Sequence, residues 1–114
     1  MKNYMLIAKG KTSCAFNDTQ DRDQFMKSFG AWTEELKKNG QFLRADELPA
    51  RHKRVEKNDA SFRVTDGPYA ETKEAMTGYF LIRAGNLDGA IEISKKCPVL
   101  RFDALEVYEL GEDK

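Results

Sequence analysis

The chain is 114 residues long and carries 19 basic and 19 acidic side chains, a formal net charge of zero. That balance argues against a dedicated nucleic-acid binder or a polybasic membrane protein, which need a surplus of positive charge. Hydrophobic residues at 40% and aromatic residues at 11% supply a real core and argue against disorder, and the length fits a single domain over residues 1–114.

No apolar run approaches the ~20 residues of a membrane span. The opening Met1-Lys2-Asn3-Tyr4-Met5-Leu6-Ile7-Ala8 is too short in apolar length for a secretory leader, so the expected compartment is cytoplasmic. Cys14 and Cys97 are expected to stay reduced there. Residues 1–57 hold 12 basic and 8 acidic side chains, and residues 58–114 hold 7 and 11. Opposed halves suit attraction within one fold or between two copies, although sampling noise explains the split as readily.

Tyr4 to Ala8 reads as a strand, and Lys9 to Asp18 as a loop. Phe25, Phe29, Trp32 and Leu36 then mark one stripe of a helix from Thr19 to Asn39, with Asp18 or Thr19 capping its start and Asn39-Gly40 ending it. Gln41 to Leu48 is a strand stopped by Pro49. His52 to Lys57 and Ser61 to Thr65 form a hairpin around Asn58-Asp59, and Asp66 to Lys73 is a loop. Met76 to Ala84 is a further strand. Asn86 caps a second helix with Leu87, Ala90, Ile91, Ser94 and Cys97 on one face, barred from continuing by Pro98, and Ala104 to Leu110 is the last strand.

This order predicts an α+β fold, a ferredoxin-like α/β sandwich with an antiparallel sheet and two helices on one face. Strand alternation sends Tyr4, Leu6 and Ala8 one way and Met5 and Ile7 the other, and Tyr79 and Leu81 oppose Phe80 and Ile82. Both faces therefore call for cover, and the chain has no third helix to supply it. A second copy packed sheet to sheet is the expected cover, which makes the chain a homodimer.

The segment Asp66-Gly67-Pro68-Tyr69-Ala70-Glu71-Thr72-Lys73-Glu74, followed by Gly78-Tyr79-Phe80-Leu81-Ile82, resembles the signature of the DGPF group within the YCII-related family. Tyr4-Met5-Leu6-Ile7, Glu34-Glu35-Leu36, Leu87-Asp88-Gly89-Ala90-Ile91 and Cys97-Pro98 extend the resemblance along the chain. It implies a dimeric α/β barrel of ferredoxin-like subunits, in a group whose barrel relatives include small-molecule isomerases and lyases. Many DGPF members are encoded beside extracytoplasmic-function sigma factors, which implies a regulatory or interaction role as the alternative to catalysis. The chain departs from the pattern at Tyr69, where the family has Phe, at Met76-Thr77-Gly78, and in a last strand that does not end in Arg-Pro. Its first helix has no histidine, so the histidine–aspartate pair proposed for other YCII branches does not carry over.

Asp66 is the candidate catalytic residue: buried beside a dimer cavity it could act as a general base, whereas an Asx turn would make it a shaper of the loop. Gly67 and Pro68 are read as structural. Asp66, Tyr69, Glu71 and Lys73 together form the candidate ligand-binding set, with an ion pair between Glu71 and Lys73 as the structural alternative. His52, the one histidine, sits in Arg51-His52-Lys53-Arg54 and is read as part of a solvated strand face. That basic patch is diluted by Glu56 and Asp59 and fits a charged edge strand better than a nucleic-acid contact. No metal-ligand spacing, phosphate loop or dinucleotide fingerprint is present, so no cofactor or metal is expected. The expected function is binding of a small organic ligand, with cofactor-free acid–base chemistry centred on Asp66.

Overall fold

The computed structural model describes residues 1–10, 16–49, 51–67 and 75–111. Strand β1 (Lys2–Gly10) alternates strictly, with Tyr4, Leu6 and Ala8 buried and Met5 and Ile7 half-buried between them. Helix α1 (Thr19–Lys38) starts at Asp18, whose carboxylate accepts the Asp21 backbone N–H at 2.8 Å, and carries Lys37 and Lys38 at its negative end. Its exit depends on Gly40, at φ +67°, a left-handed turn that lets the Gln41 N–H reach the Leu36 carbonyl at 2.8 Å.

Strands β2 (Phe42–Glu47), β3 (His52–Asn58), β4 (Ser61–Gly67) and β5 (Ala75–Ala84) follow, then helix α2 (Leu87–Lys95) and strand β6 (Ala104–Glu109). The Asn86 side chain caps α2 by accepting the Gly89 N–H at 2.8 Å. Pro98, which stops α2 as expected, opens a short 3-10 turn to Arg101, because its missing N–H costs nothing at a helical first position.

Four strands form an antiparallel sheet in the order β2-β5-β1-β6. With α1 and α2 on one face, this is the ferredoxin-like arrangement read from the sequence, carrying an extra hairpin between β2 and β5. The core lies between sheet and helices. Tyr4, Leu6, Phe80, Ile82 and Ala84 face Trp32, Leu36, Ala90 and Cys97. Trp32 packs edge-on to Phe80 at 5.2 Å between ring centres and donates its indole N–H to the Ile93 carbonyl at 3.2 Å, which ties α1 to α2. Phe25 and Phe29 continue the helical stripe as half-buried rings, with Phe25 in a cluster with Phe16 and Phe102.

Three local expectations need correction. Asp66 and Gly67 belong to β4 and not to the following loop, because Lys53 and His52 pair with them across the ladder. Leu87 is exposed, and Ile93 packs against the core from α2 in its place. Lys9 and Gly10 extend β1, with an irregular step in its pairing to β5 after Ala8.

Among the described residues the β3–β4 hairpin pairs only with itself and forms a separate two-stranded ladder. It projects as an arm, and the molecule is a broad slab of 49 × 45 × 18 Å. The radius of gyration is 16.5 Å, against the ~13 Å of a compact chain of this length.

Candidate functional site

The face of the sheet turned away from the helices is where polar and apolar side chains meet. Met5 and Ile7 from β1 and Leu81 from β5 give it an apolar strip. Period-two alternation puts Arg44 and Asp46 of β2 on this face, and the ladder brings Leu81 and Tyr79 opposite them. The Tyr79 hydroxyl donates to Asp46 Oδ2 at 2.7 Å, and Arg44 Nε donates to the same oxygen at 2.8 Å. On β6, Glu106 accepts from Tyr108 at 3.1 Å and pairs with Lys9 at 3.0 Å.

These contacts set the charge states. Hydrogen bonds from Tyr79 and then Arg44 hold the Asp46 carboxyl below its ordinary range, and the bond to Asp46, helped by desolvation, pushes the Tyr79 phenol up. Glu106 is held down by its bond with Lys9 and then Tyr108. Asp46 is thus a persistent acceptor and a weak base at neutral pH, while Tyr79 keeps its proton. The arrangement suits recognition of a ligand oxygen better than proton transfer.

Asp46 lies one residue before the end of β2, opposite Tyr79, and five residues of sequence separate it from His52 at the base of the arm. A cleft of about 620 Å³ opens at that base, lined by Arg51, His52, Lys53, Asp66 and Gly67. Asp66 is in an ion pair with Lys53, directly across the ladder, and its side chain is 77% exposed. An Asx turn of the expected kind is ruled out by chemistry, since the residue two positions on is Pro68, which has no N–H to donate.

His52 lies over Gly67, and a Cβ at Gly67 would overlap the imidazole ring. A side chain at Gly67 would therefore have to displace the exposed ring of its cross-strand neighbour. Alternation also separates the two titratable groups at the arm base: Asp66 shares a face with Lys53, and His52 shares the other with Gly67. They do not form a pair. Tyr69, Glu71 and Lys73 lie outside the described residues.

The sequence reading singled out Asp66 and missed Arg44, Asp46 and the role of Tyr79. The i, i+2 spacing of Arg44 and Asp46 was visible, but their meeting with Tyr79 depends on strand order and register. Cys97 is buried, and desolvation pushes its thiol up to about 11, which fits packing and excludes a ready thiolate. Among the described residues no group of three or more His, Cys, Asp or Glu side chains could hold a metal ion, and no helix is long and apolar enough to cross a membrane.

Among solved structures, the chain is similar to the 5-chloro-2-hydroxyhydroquinone dehydrochlorinase of Burkholderia phenoliruptrix AC1100, solved in complex with 2,5-dihydroxybenzoquinone. The two share 12% identity over 97% of this chain and 95% of that one, with a TM-score of 0.55, a likeness of fold alone. No curated protein matches the chain. The YCII-related domain model matches residues 1–112, nearly the whole length and including the Asp-Gly-Pro segment. The chain belongs to the YCII-related family.

Proposed function

We propose that the chain works as a single-domain homodimer that encloses a small organic ligand between the open faces of two sheets, at the end where the arm begins. One observation carries this reading. The apolar strip of Met5, Ile7 and Leu81 is bordered there by the bonded set Tyr79, Asp46 and Arg44, and an apolar floor with a few convergent polar groups is the make-up of a ligand pocket. A two-layer protein with one apolar sheet face uncovered also calls for a second layer, which a second copy supplies.

In this reading Tyr79 and Asp46 orient a ligand oxygen, and Asp66 with Tyr69, Glu71 and Lys73 completes the contacts from the motif. Asp66 is the proton-handling group of a cofactor-free, isomerase- or lyase-type step. That role requires its removal from water, because desolvation raises a carboxyl toward neutrality. The ligand class is a small ring bearing hydroxyl, carbonyl or carboxylate oxygens. The positive side chains of Arg51 and Lys53 at the cleft support it, as does the dihydroxybenzoquinone bound by the structurally similar dehydrochlorinase.

The test is a thermal-shift screen of hydroxylated and carboxylated ring compounds, since a ligand that binds only the folded state raises the melting temperature. A compound found this way is expected to bind Tyr79→Phe and Asp46→Asn roughly tenfold more weakly, the loss of about one charge-assisted hydrogen bond. Asp66→Asn is expected to bind but not to turn over. Unchanged binding in the first two variants removes the open face as the site, and unchanged turnover in the third removes Asp66 from its role.

A further inference from the structure

Alternation along the arm puts Lys53, Val55 and Lys57 on one face, opposite Asp66, Val64 and Phe62. Val55, Phe62 and Val64 are 63%, 69% and 59% exposed, an apolar patch on a ladder whose strands pack mainly on each other among the described residues. An isolated two-stranded hairpin is marginal in water and needs something against its apolar side.

We infer that this face of the arm docks on a second copy of the chain, and that the same docking takes Asp66 out of solvent, so that the site is incomplete in one protomer. Charge supports a second copy as the occupant. Residues 51–67 hold five basic and three acidic side chains, and the rest of the chain holds fourteen and sixteen, so arm and body carry opposite net charge. The position of Asp66 in line with Val64 and Phe62 makes its burial a direct consequence of docking. The inference rests on the ligand reading only for what Asp66 does once covered; the docking stands apart from it.

The test is the dimer dissociation constant by sedimentation for the wild type, for Val55→Thr/Phe62→Ser and for the milder, nearly isosteric Val64→Thr. These positions are exposed and lie outside the core, and circular dichroism checks that the fold is kept. The double variant is expected to dissociate at least tenfold more readily, with Val64→Thr changed in the same direction. Leu81→Arg, on the open sheet face, is the comparator. Weakening by Leu81→Arg alone overturns the arm docking and leaves the enclosed sheet standing. Weakening by the arm variants alone supports the docking and overturns the enclosed sheet. A wild type that is monomeric at every concentration overturns both.

Discussion

Gly67 shows how a single position acquires its constraint from across a ladder. The imidazole of His52 occupies the space a β-carbon would need, so the glycine and the histidine act as a unit. Gly67→Ala is expected to destabilise the arm by no more than about 0.5 kcal/mol, because the exposed His52 ring can turn aside, read as slightly faster hydrogen exchange across the β3–β4 amides. His52→Ala in the same chain is expected to recover most of that loss, because the clash is with its ring. A double mutant as unstable as Gly67→Ala alone would show that the backbone and not the ring sets the requirement. The motif itself was legible in the sequence, and so was the interest of Asp66. The partner of Gly67 was not, because a hairpin pattern does not state its register to the residue. The Tyr79–Asp46–Arg44 set escaped for the same reason: two of its members are 33 positions apart and meet only through strand order.

At the scale of elements, α1 was the best-marked segment and forms as read, from the Asp18 cap to the Gly40 exit. Local signals suffice there, since caps and the Phe25-Phe29-Trp32-Leu36 spacing are all within one helix. What local signals could not show is the anchor of its first turn. Arg101, in the 3-10 turn, donates to both oxygens of Asp21 at 2.7 and 2.6 Å, and the Asn17 N–H donates to the same carboxylate at 2.9 Å. The Arg101 hydrogen bonds, with that backbone bond, lower the Asp21 carboxyl to about 2. A carboxyl depressed in the folded state contributes stability above its unfolded pKa and loses it as pH falls toward the folded value. Arg101→Gln is therefore expected to lower the melting temperature by a few degrees at neutral pH, with the difference from wild type closing between about pH 4 and pH 2. A chemical-shift titration of Asp21 checks the cause: in Arg101→Gln it moves up toward the ordinary carboxylate range. A melting difference that persists at pH 2 would assign the effect to packing of Arg101 against Phe102, where its guanidinium lies 4.9 Å from the ring centre.

For the whole molecule, the order of elements was enough to read the ferredoxin-like sandwich, and counting faces on β1 and β5 to read the side of the sheet that its helices leave open. Alternation is a property of each strand alone, so Tyr4, Leu6 and Ala8 could be separated from Met5 and Ile7 before any pairing was known. The projection of the arm was not legible, because the alternation of its two strands fixes how they pair and not what they rest against. Among the described residues the slab leaves a mixed polar and apolar open sheet face, with Met5, Ile7 and Leu81 half-buried, and an arm face on which Val55, Phe62 and Val64 are exposed.

The central claim is that a second copy covers the open sheet face, and its methyl groups report this directly. In the wild-type protein at the concentration of a binding assay, a water-soluble paramagnetic probe is expected to leave the methyls of Met5, Ile7 and Leu81 nearly as unrelaxed as that of buried Ile82, while exposed Met26 on α1 broadens strongly. Broadening of Met5, Ile7 and Leu81 to the level of Met26 would mean that water reaches the sheet freely, and would contradict the account.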